Sequence, residues 1–285
     1  MAQKSRVTMQ KSVGIIGLGL MGGSMGLALK KVPFISHIVG LDGNPHNEKE
    51  ALSLGLVDAI VDFATLQQCD IIFLAIPVDA IIATMQNFDA VAPHTLILDL
   101  GSTKAKIISQ TPAKLRTHFV AAHPMTGTER FGPSAALEGL YTHKVVVLCD
   151  LEASGEPQRT LALKLFEALE MKIVRMSAVE HDSHVAYISH LPHVLSYALA
   201  NTVLAHEDRL SILNLAAGGF KDMSRLAKSS PNMWEDIFRQ NQSNLLATLQ
   251  QFQKELDVFV EDIQKGSWES LNARMQHANT LHEIL

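Results

Sequence analysis

Val13-Gly14-Ile15-Ile16-Gly17-Leu18-Gly19-Leu20-Met21-Gly22 is the stretch on which the fold of this 285-residue chain turns. Val13 to Ile16 is a short β-branched run, and a helical pattern continues from the glycines to about Lys31. A Gly-x-Gly-x-x-Gly run means little alone, but between a strand and a helix near the start of an alternating chain it is a phosphate-cradling turn. Gly17 allows the tight turn, Gly19 lets the backbone approach a pyrophosphate, and Gly22 brings helix against strand. The N–H groups at the helix start attract the phosphate charge. Gly17, Leu18, Gly19, Leu20, Met21 and Gly22 are therefore the expected cofactor-binding turn. Asp42 follows twenty positions past Gly22, at the end of the second β-branched run. A carboxylate there accepts from both ribose hydroxyls and repels a 2′-phosphate, so the expected cofactor is NAD rather than NADP. The competing reading of Asp42 is a cap for the turn Asp42-Gly43-Asn44-Pro45.

Working outward, further β-branched runs recur at Ile38–Leu41, Ile71–Ala75, Leu96–Leu100, Phe119–Ala122, Val145–Leu148 and Lys172–Arg175. Near-continuous apolar strands separated by helix-length segments predict a doubly wound α/β domain, a parallel sheet covered on both faces, of about seven strands. After Met176 the runs stop and helical periodicity takes over, which predicts a Rossmann-type domain over residues 1–176 and an all-helical domain over 177–285. Within Ala178 to His206 only Pro192 interrupts the pattern, and a kink with freed carbonyls near Ile188 is expected there. Leu245, Leu249, Phe252, Leu256, Phe259 and Ile263 are spaced 4, 3, 4, 3, 4, a seam that needs a helical partner. That partner is a second subunit or another helix of the same domain; the subunit interface is favoured because few helices remain.

Composition narrows the function. Hydrophobic residues make up 47%, enough for a real core, and 24 basic against 29 acidic residues give a net charge of −5. No basic footprint for nucleic acid or an anionic membrane is present. Cys69 and Cys149 have no Cys-x-x-Cys spacing, which suits buried thiols in a reducing compartment. Lys4, Arg6 and Lys11 precede an uncharged run from Ser12 to Leu29, the outline of a signal peptide or membrane span, but six glycines within it argue against both. A soluble, cytoplasmic protein is expected.

Three segments carry candidate chemistry. Gly101-Ser102-Thr103-Lys104 follows the fourth run and is either part of a site or a helix start capped by Ser102 or Thr103. His123, at the end of the fifth run and followed by Pro124, is placed to act as an acid or base near neutrality; a structural histidine is the alternative. His181, His184, His190 and His193 cluster at spacings that admit a metal. No third ligand is evident and Pro192 disturbs the shared face, so no metal is expected.

Taken together with the glycine turn and GSTK at 101–104, the motifs His123-Pro124-Met125-Thr126-Gly127-Thr128-Glu129, Ile188-Ser189-His190-Leu191-Pro192-His193 and Gly218-Gly219-Phe220-Lys221-Asp222-Met223-Ser224-Arg225 resemble, in order, those of the prephenate and arogenate dehydrogenases of tyrosine biosynthesis. The resemblance covers the chain from about Lys11 onward. It implies a Rossmann domain followed by a helical domain that dimerises, and NAD-dependent oxidative decarboxylation of prephenate to 4-hydroxyphenylpyruvate. It further implies that His123 takes the C4 hydroxyl proton while Ser102 hydrogen-bonds that hydroxyl or the imidazole. Arg225 would pair a substrate carboxylate through its guanidinium fork. Ser189, His190 and His193 would line the wall that meets the side chain, and Glu129, Lys221, Asp222 and Trp234 would form a rim.

Prephenate is expected over arogenate because His193 can donate to a keto or carboxylate oxygen, whereas an ammonium would want an acceptor. His181 and His184 keep a structural reading. Two other readings remain: a 3-hydroxyacid dehydrogenase, whose helical-domain lysine leaves these histidines without a task, and a non-catalytic NAD-sensing module. The end of the chain at Leu285 leads to the expectation that no regulatory domain is fused to it.

Overall fold

Every β-branched run of the first half forms a strand, because side chains alternating between two covered faces leave an apolar residue at nearly every position. The computed structural model describes residues 10–89 and 91–284; Lys4 and Arg6, read above as part of a signal-like outline, lie outside the described residues. The first half runs β1 (Lys11–Ile16), α1 (Leu20–Leu29), β2 (Ile35–Leu41), α2 (Pro45–Ser53), β3 (Ala59–Ile60), α3 (Phe63–Leu66), β4 (Ile71–Leu74), α4 (Val78–Gln86), β5 (Leu96–Asp99), α5 (Ala105–Ser109), β6 (Phe119–Pro124), β7 (Val145–Cys149), α6 (Glu156–Ala168) and β8 (Lys172–Met176). One sheet in the order β3-β2-β1-β4-β5-β6-β7-β8 results. The chain winds outward from β1 to β3, then crosses to β4 on the other side. The carboxyl ends of β1 and β4 thus flank the crevice where ligands of open α/β sheets bind.

Two features depart from the expected all-parallel, seven-stranded sheet. The eighth strand, β3, is two residues long, too short to leave a pattern. β7 runs antiparallel to β6, with His123 opposite Val147. Residues 125–144 between them hold a single helical turn, Pro133–Ala135, and no crossover helix, so the chain returns directly alongside.

The strands bury one face through Val13, Ile15, Phe73, Leu98 and Val120 against α1 and α6. The opposite face buries Ile16, Ile72, Leu74, Ile97 and Phe119, and there Ala178, Trp234 and Ile237 from the helical half join the core. The two halves therefore share one packed interior. Cys69 and Cys149 are both buried and unpaired.

The helical half comprises α7 (Ala178–Val185), α8 (Leu191–His206), α9 (Arg209–Leu215), α10 (Gly218–Ser224), α11 (Pro231–Gln240), α12 (Gln242–Lys265) and α13 (Trp268–Asn279). Pro192 sits in the first turn of α8, and the break expected there takes the form of a π turn over Ala186–His190 that links α7 to α8. Proline lacks an N–H and crowds the carbonyl four residues back, and one extra residue in the turn accommodates both defects. Along the α12 seam Leu245 is buried, but Leu256 and Ile263 are 45% and 54% exposed, so the chain's own helices do not cover it. No helix among the described residues is long and apolar enough to cross a membrane.

Candidate active site

The glycine turn has the geometry that its sequence requires. Gly17 has φ +91°, and a Cβ there would lie 2.4 Å from the Ala75 carbonyl oxygen; one on Gly22 would lie 1.8 Å from that of Gly17. Both positions exclude a side chain. Gly19 differs, since a Cβ would meet nothing nearer than the Gly132 nitrogen at 3.8 Å, so the space over it is open. The side chains of Leu18 and Leu20 are buried in the core, and Tyr141 donates its hydroxyl to the Met21 carbonyl at 2.7 Å. What α1 presents at its start is backbone N–H groups with no acidic side chain in the first turn, a seat for a pyrophosphate. These residues fit a dinucleotide.

Asp42 meets both readings made of it. Its Oδ1 accepts from the Asn44 N–H (2.9 Å) and the Asn47 amide (3.1 Å), which caps the turn. Its Oδ2 accepts from the Leu18 N–H at 2.8 Å, fixing the carboxylate beside the glycine turn. The carboxylate stays part-exposed, with lone pairs left for a ribose.

His123 projects from the carboxyl end of β6, two residues beyond the last β5 pairing of Asp99 with Ala121. Beneath it lies a fully buried ion pair, Asp99 with Lys104. Lys104 also donates to the Ala122 carbonyl at 2.9 Å, and Asp99 accepts from the backbone of Gly101 and Ala122. Each buried charge is thus partnered, the condition under which such a pair is tolerated. Burial, then His181, Lys104 and His190, hold the His123 imidazole well below its ordinary pKa, so it is neutral and able to accept a proton.

His123 Nδ1 lies 2.8 Å from His181 Nε2, and His181 Nδ1 lies 2.8 Å from Asp182 Oδ1. His181 and Asp182 are both buried. The Asp182 carboxylate also accepts from the backbone N–H groups of Lys104 (2.8 Å) and Ala105 (2.9 Å), capping α5 from α7. This corrects two expectations. Neither Ser102 nor Thr103 caps α5; Thr103 bonds Gln240 at 2.6 Å instead. His181 is no bystander but the partner of the candidate base, while His184 remains a surface residue facing Glu180. Among the described residues Ser102 makes no hydrogen bond to His123, so the imidazole is oriented by His181.

The π turn and α8 supply the second wall. His193 stacks on Trp234 with ring centroids 3.5 Å apart, and its Nδ1 lies 2.9 Å from the Ser189 carbonyl. A carbonyl only accepts, so Nδ1 carries the hydrogen; burial lowers the pKa, leaving neutral His193 with a bare, accepting Nε2. The expectation that His193 donates to the substrate rested on the opposite arrangement. His190 is fully buried. Its Nδ1 accepts from the Asn241 amide at 3.2 Å, and its Nε2 has no partner among the described residues. Trp234, expected at the rim, is a buried wall. Arg225 is exposed, 3.7 Å from Glu129 across the two halves, and Lys221 and Asp222 are exposed on α10.

The prephenate dehydrogenase nucleotide-binding domain model matches residues 25–175, and the prephenate dehydrogenase dimerization domain model matches residues 177–277. A prephenate dehydrogenase of Bacillus subtilis is 30% identical over 270 residues, covering 92% of this chain and 73% of that protein. A cyclohexadienyl dehydrogenase of Zymomonas mobilis is 32% identical over 266 residues, 91% of this chain and 88% of the other. The crystal structure of A. aeolicus prephenate dehydrogenase with hydroxyphenyl propionate and NAD+ superposes with a TM-score of 0.90 at 30% identity, covering 97% of this chain and 98% of that one. The chain belongs to the prephenate dehydrogenase family.

Proposed function

We propose that this chain catalyses the NAD-dependent oxidative decarboxylation of prephenate to 4-hydroxyphenylpyruvate, a step of tyrosine biosynthesis. The observation that carries the reading is His123: a neutral imidazole at the carboxyl edge of the sheet, held through Nδ1, with no protein partner at Nε2 among the described residues. NAD+, seated on the glycine turn with its ribose at Asp42, supplies the acceptor for the hydride that leaves C4. His123 takes the C4 hydroxyl proton, Ser102 orients that hydroxyl, and loss of carbon dioxide makes the ring aromatic. Driving force comes from aromatisation, so the protein's work is orientation and proton acceptance.

Arg225 anchors a carboxylate, exchanging its loose contact with Glu129 for a bidentate one. His190 Nε2, a buried donor with no partner among the described residues, fits an accepting oxygen on the substrate, and Ser189 lies on the same π turn. The division near Met176, a homodimer through the exposed α12 seam, and a cytoplasmic location complete the proposal. In its support, the family model over 177–277 is a dimerization domain, and apolar grooves line α11–α12 (Phe238, Leu245, Leu246, Leu249) and α8–α10 (Val203, Ile212, Leu215, Phe220).

One observation favours a second reading, arogenate: neutral His193 offers an acceptor, which suits an ammonium. Steady-state kinetics with each substrate decide the matter. A higher kcat/KM with prephenate is expected; a higher value with arogenate gives the site to the second reading.

A further inference from the structure

We propose that His181 and Asp182 are positioning residues for the base: they fix the tautomer of His123 and share the charge it gains. The proposal rests on the reading of His123 as the proton acceptor. The Asp182 carboxylate has no hydrogen to give, since it already accepts from the Lys104 and Ala105 N–H groups, so His181 Nδ1 must be the donor to it. A His181 that carries one hydrogen, on Nδ1, has a bare Nε2. That nitrogen can only accept, so His123 must carry its hydrogen on Nδ1, and the bare nitrogen of His123 is Nε2. One buried carboxylate thus dictates, through two rings, which nitrogen of the base is ready.

The chain also has a role during the reaction. The C4 hydroxyl proton moves to His123 Nε2 as the hydride leaves for NAD+, giving an imidazolium on His123 and NADH. The Nδ1 hydrogen stays in its bond to His181, whose opposite end faces the buried Asp182 carboxylate. Lys104 and His190 also face His123, and both oppose a positive charge there. Asp99 is occupied by Lys104, leaving Asp182 as the carboxylate that reaches the base. As carbon dioxide leaves C1, its bonding pair makes the ring aromatic and leaves a phenolate at the C4 oxygen, which takes the proton back from His123 Nε2 to give 4-hydroxyphenylpyruvate. The two rings meet edge to face at 5.0 Å and 70°, a geometry that aims nitrogen at nitrogen rather than stacking the rings.

Two measurements test this. Nitrogen NMR of histidine-labelled wild-type protein, without substrate, should show His123 and His181 both as neutral Nδ1–H tautomers; an Nε2–H form of either overturns the proposal. This result is independent of turnover, so an enzyme inactive on prephenate that shows these tautomers defeats the proposed function and leaves the positioning chain intact. In kinetics, His181→Leu should lower kcat about 10- to 100-fold with KM and NAD affinity within about twofold. His181→Gln, whose amide oxygen can accept from Nδ1, should recover kcat to within about tenfold of wild type. Equal kcat in His181→Leu and wild type, or a loss equal in both variants, overturns it. If His181→Leu does not fold, the tautomer measurement decides alone.

Discussion

Asp182 uses its two carboxylate oxygens on three partners, two backbone N–H groups of the sheet half and one imidazole of its own helix. Such concentration at single side chains is where the site was least legible beforehand. His123, Asp42 and the glycines are visible because they fall at strand ends in a local pattern. His181 is not, because its partner lies 58 residues away and an adjacent His-Asp pair on a helix is unremarkable by spacing. Lys104 was hidden likewise, its charge being buried only by the strand neighbours Asp99 and Ala122. Lys104→Ala leaves Asp99 buried without its cation, and denaturant unfolding should show a loss of about 3–5 kcal/mol. Asp42→Ala should weaken NAD binding about tenfold and narrow the preference over NADP, measured by titration calorimetry; unchanged NAD affinity would remove Asp42 from the cofactor site. His190 is held at about 4 by burial. An unfolded imidazole titrates near pH ~6.5, so below that the unfolded chain binds a proton that the folded one refuses. The stability that neutral His190 brings is present above about pH 6.5 and is lost as the pH falls toward about 4. Unfolding free energies measured across that window should fall, and His190→Gln should flatten the slope.

Between α7 and α8 the chain could have continued as one regular helix, and the π turn at Ala186–His190 is what sets Ser189, His190 and His193 where they stand. Pro192 announced the break but not its form, since a proline at that place is compatible with a kink, a π turn or a helix end. Pro192→Ala removes the need for the extra residue. Relaxation to a regular helix would rotate the wall, and KM for prephenate should rise about tenfold while NAD affinity holds; an unchanged KM would show that the π turn does not depend on the proline. The same limit explains the sheet. Strand positions were readable from β-branched runs, whereas the direction of β7 depends on what the 125–144 connection lacks, and β3 is too short to carry any pattern.

The proposed division near Met176 crosses a shared core, to which the helical half contributes Trp234 and Ile237, and Asp182 ties α7 to α5. A site at such a junction is assembled only when both halves are folded together. The seam of α12 carries the remaining whole-chain expectation. Leu256→Glu with Ile263→Glu places charges on its exposed positions, and light scattering should report a dimer for the wild type and a monomer for this variant; a wild-type monomer at micromolar protein would set the interface aside. The claim on which the account depends is that His123 accepts the substrate's proton at the edge of an NAD site. Single-turnover mixing of enzyme, NAD and prephenate, following NADH absorbance and released carbon dioxide together, tests it most directly. Wild type should form both in equal amounts, and His123→Asn should slow the step about 100- to 10,000-fold while binding prephenate and NAD nearly as well. NADH formation at the wild-type rate in His123→Asn, or none with prephenate in the wild type, would contradict it.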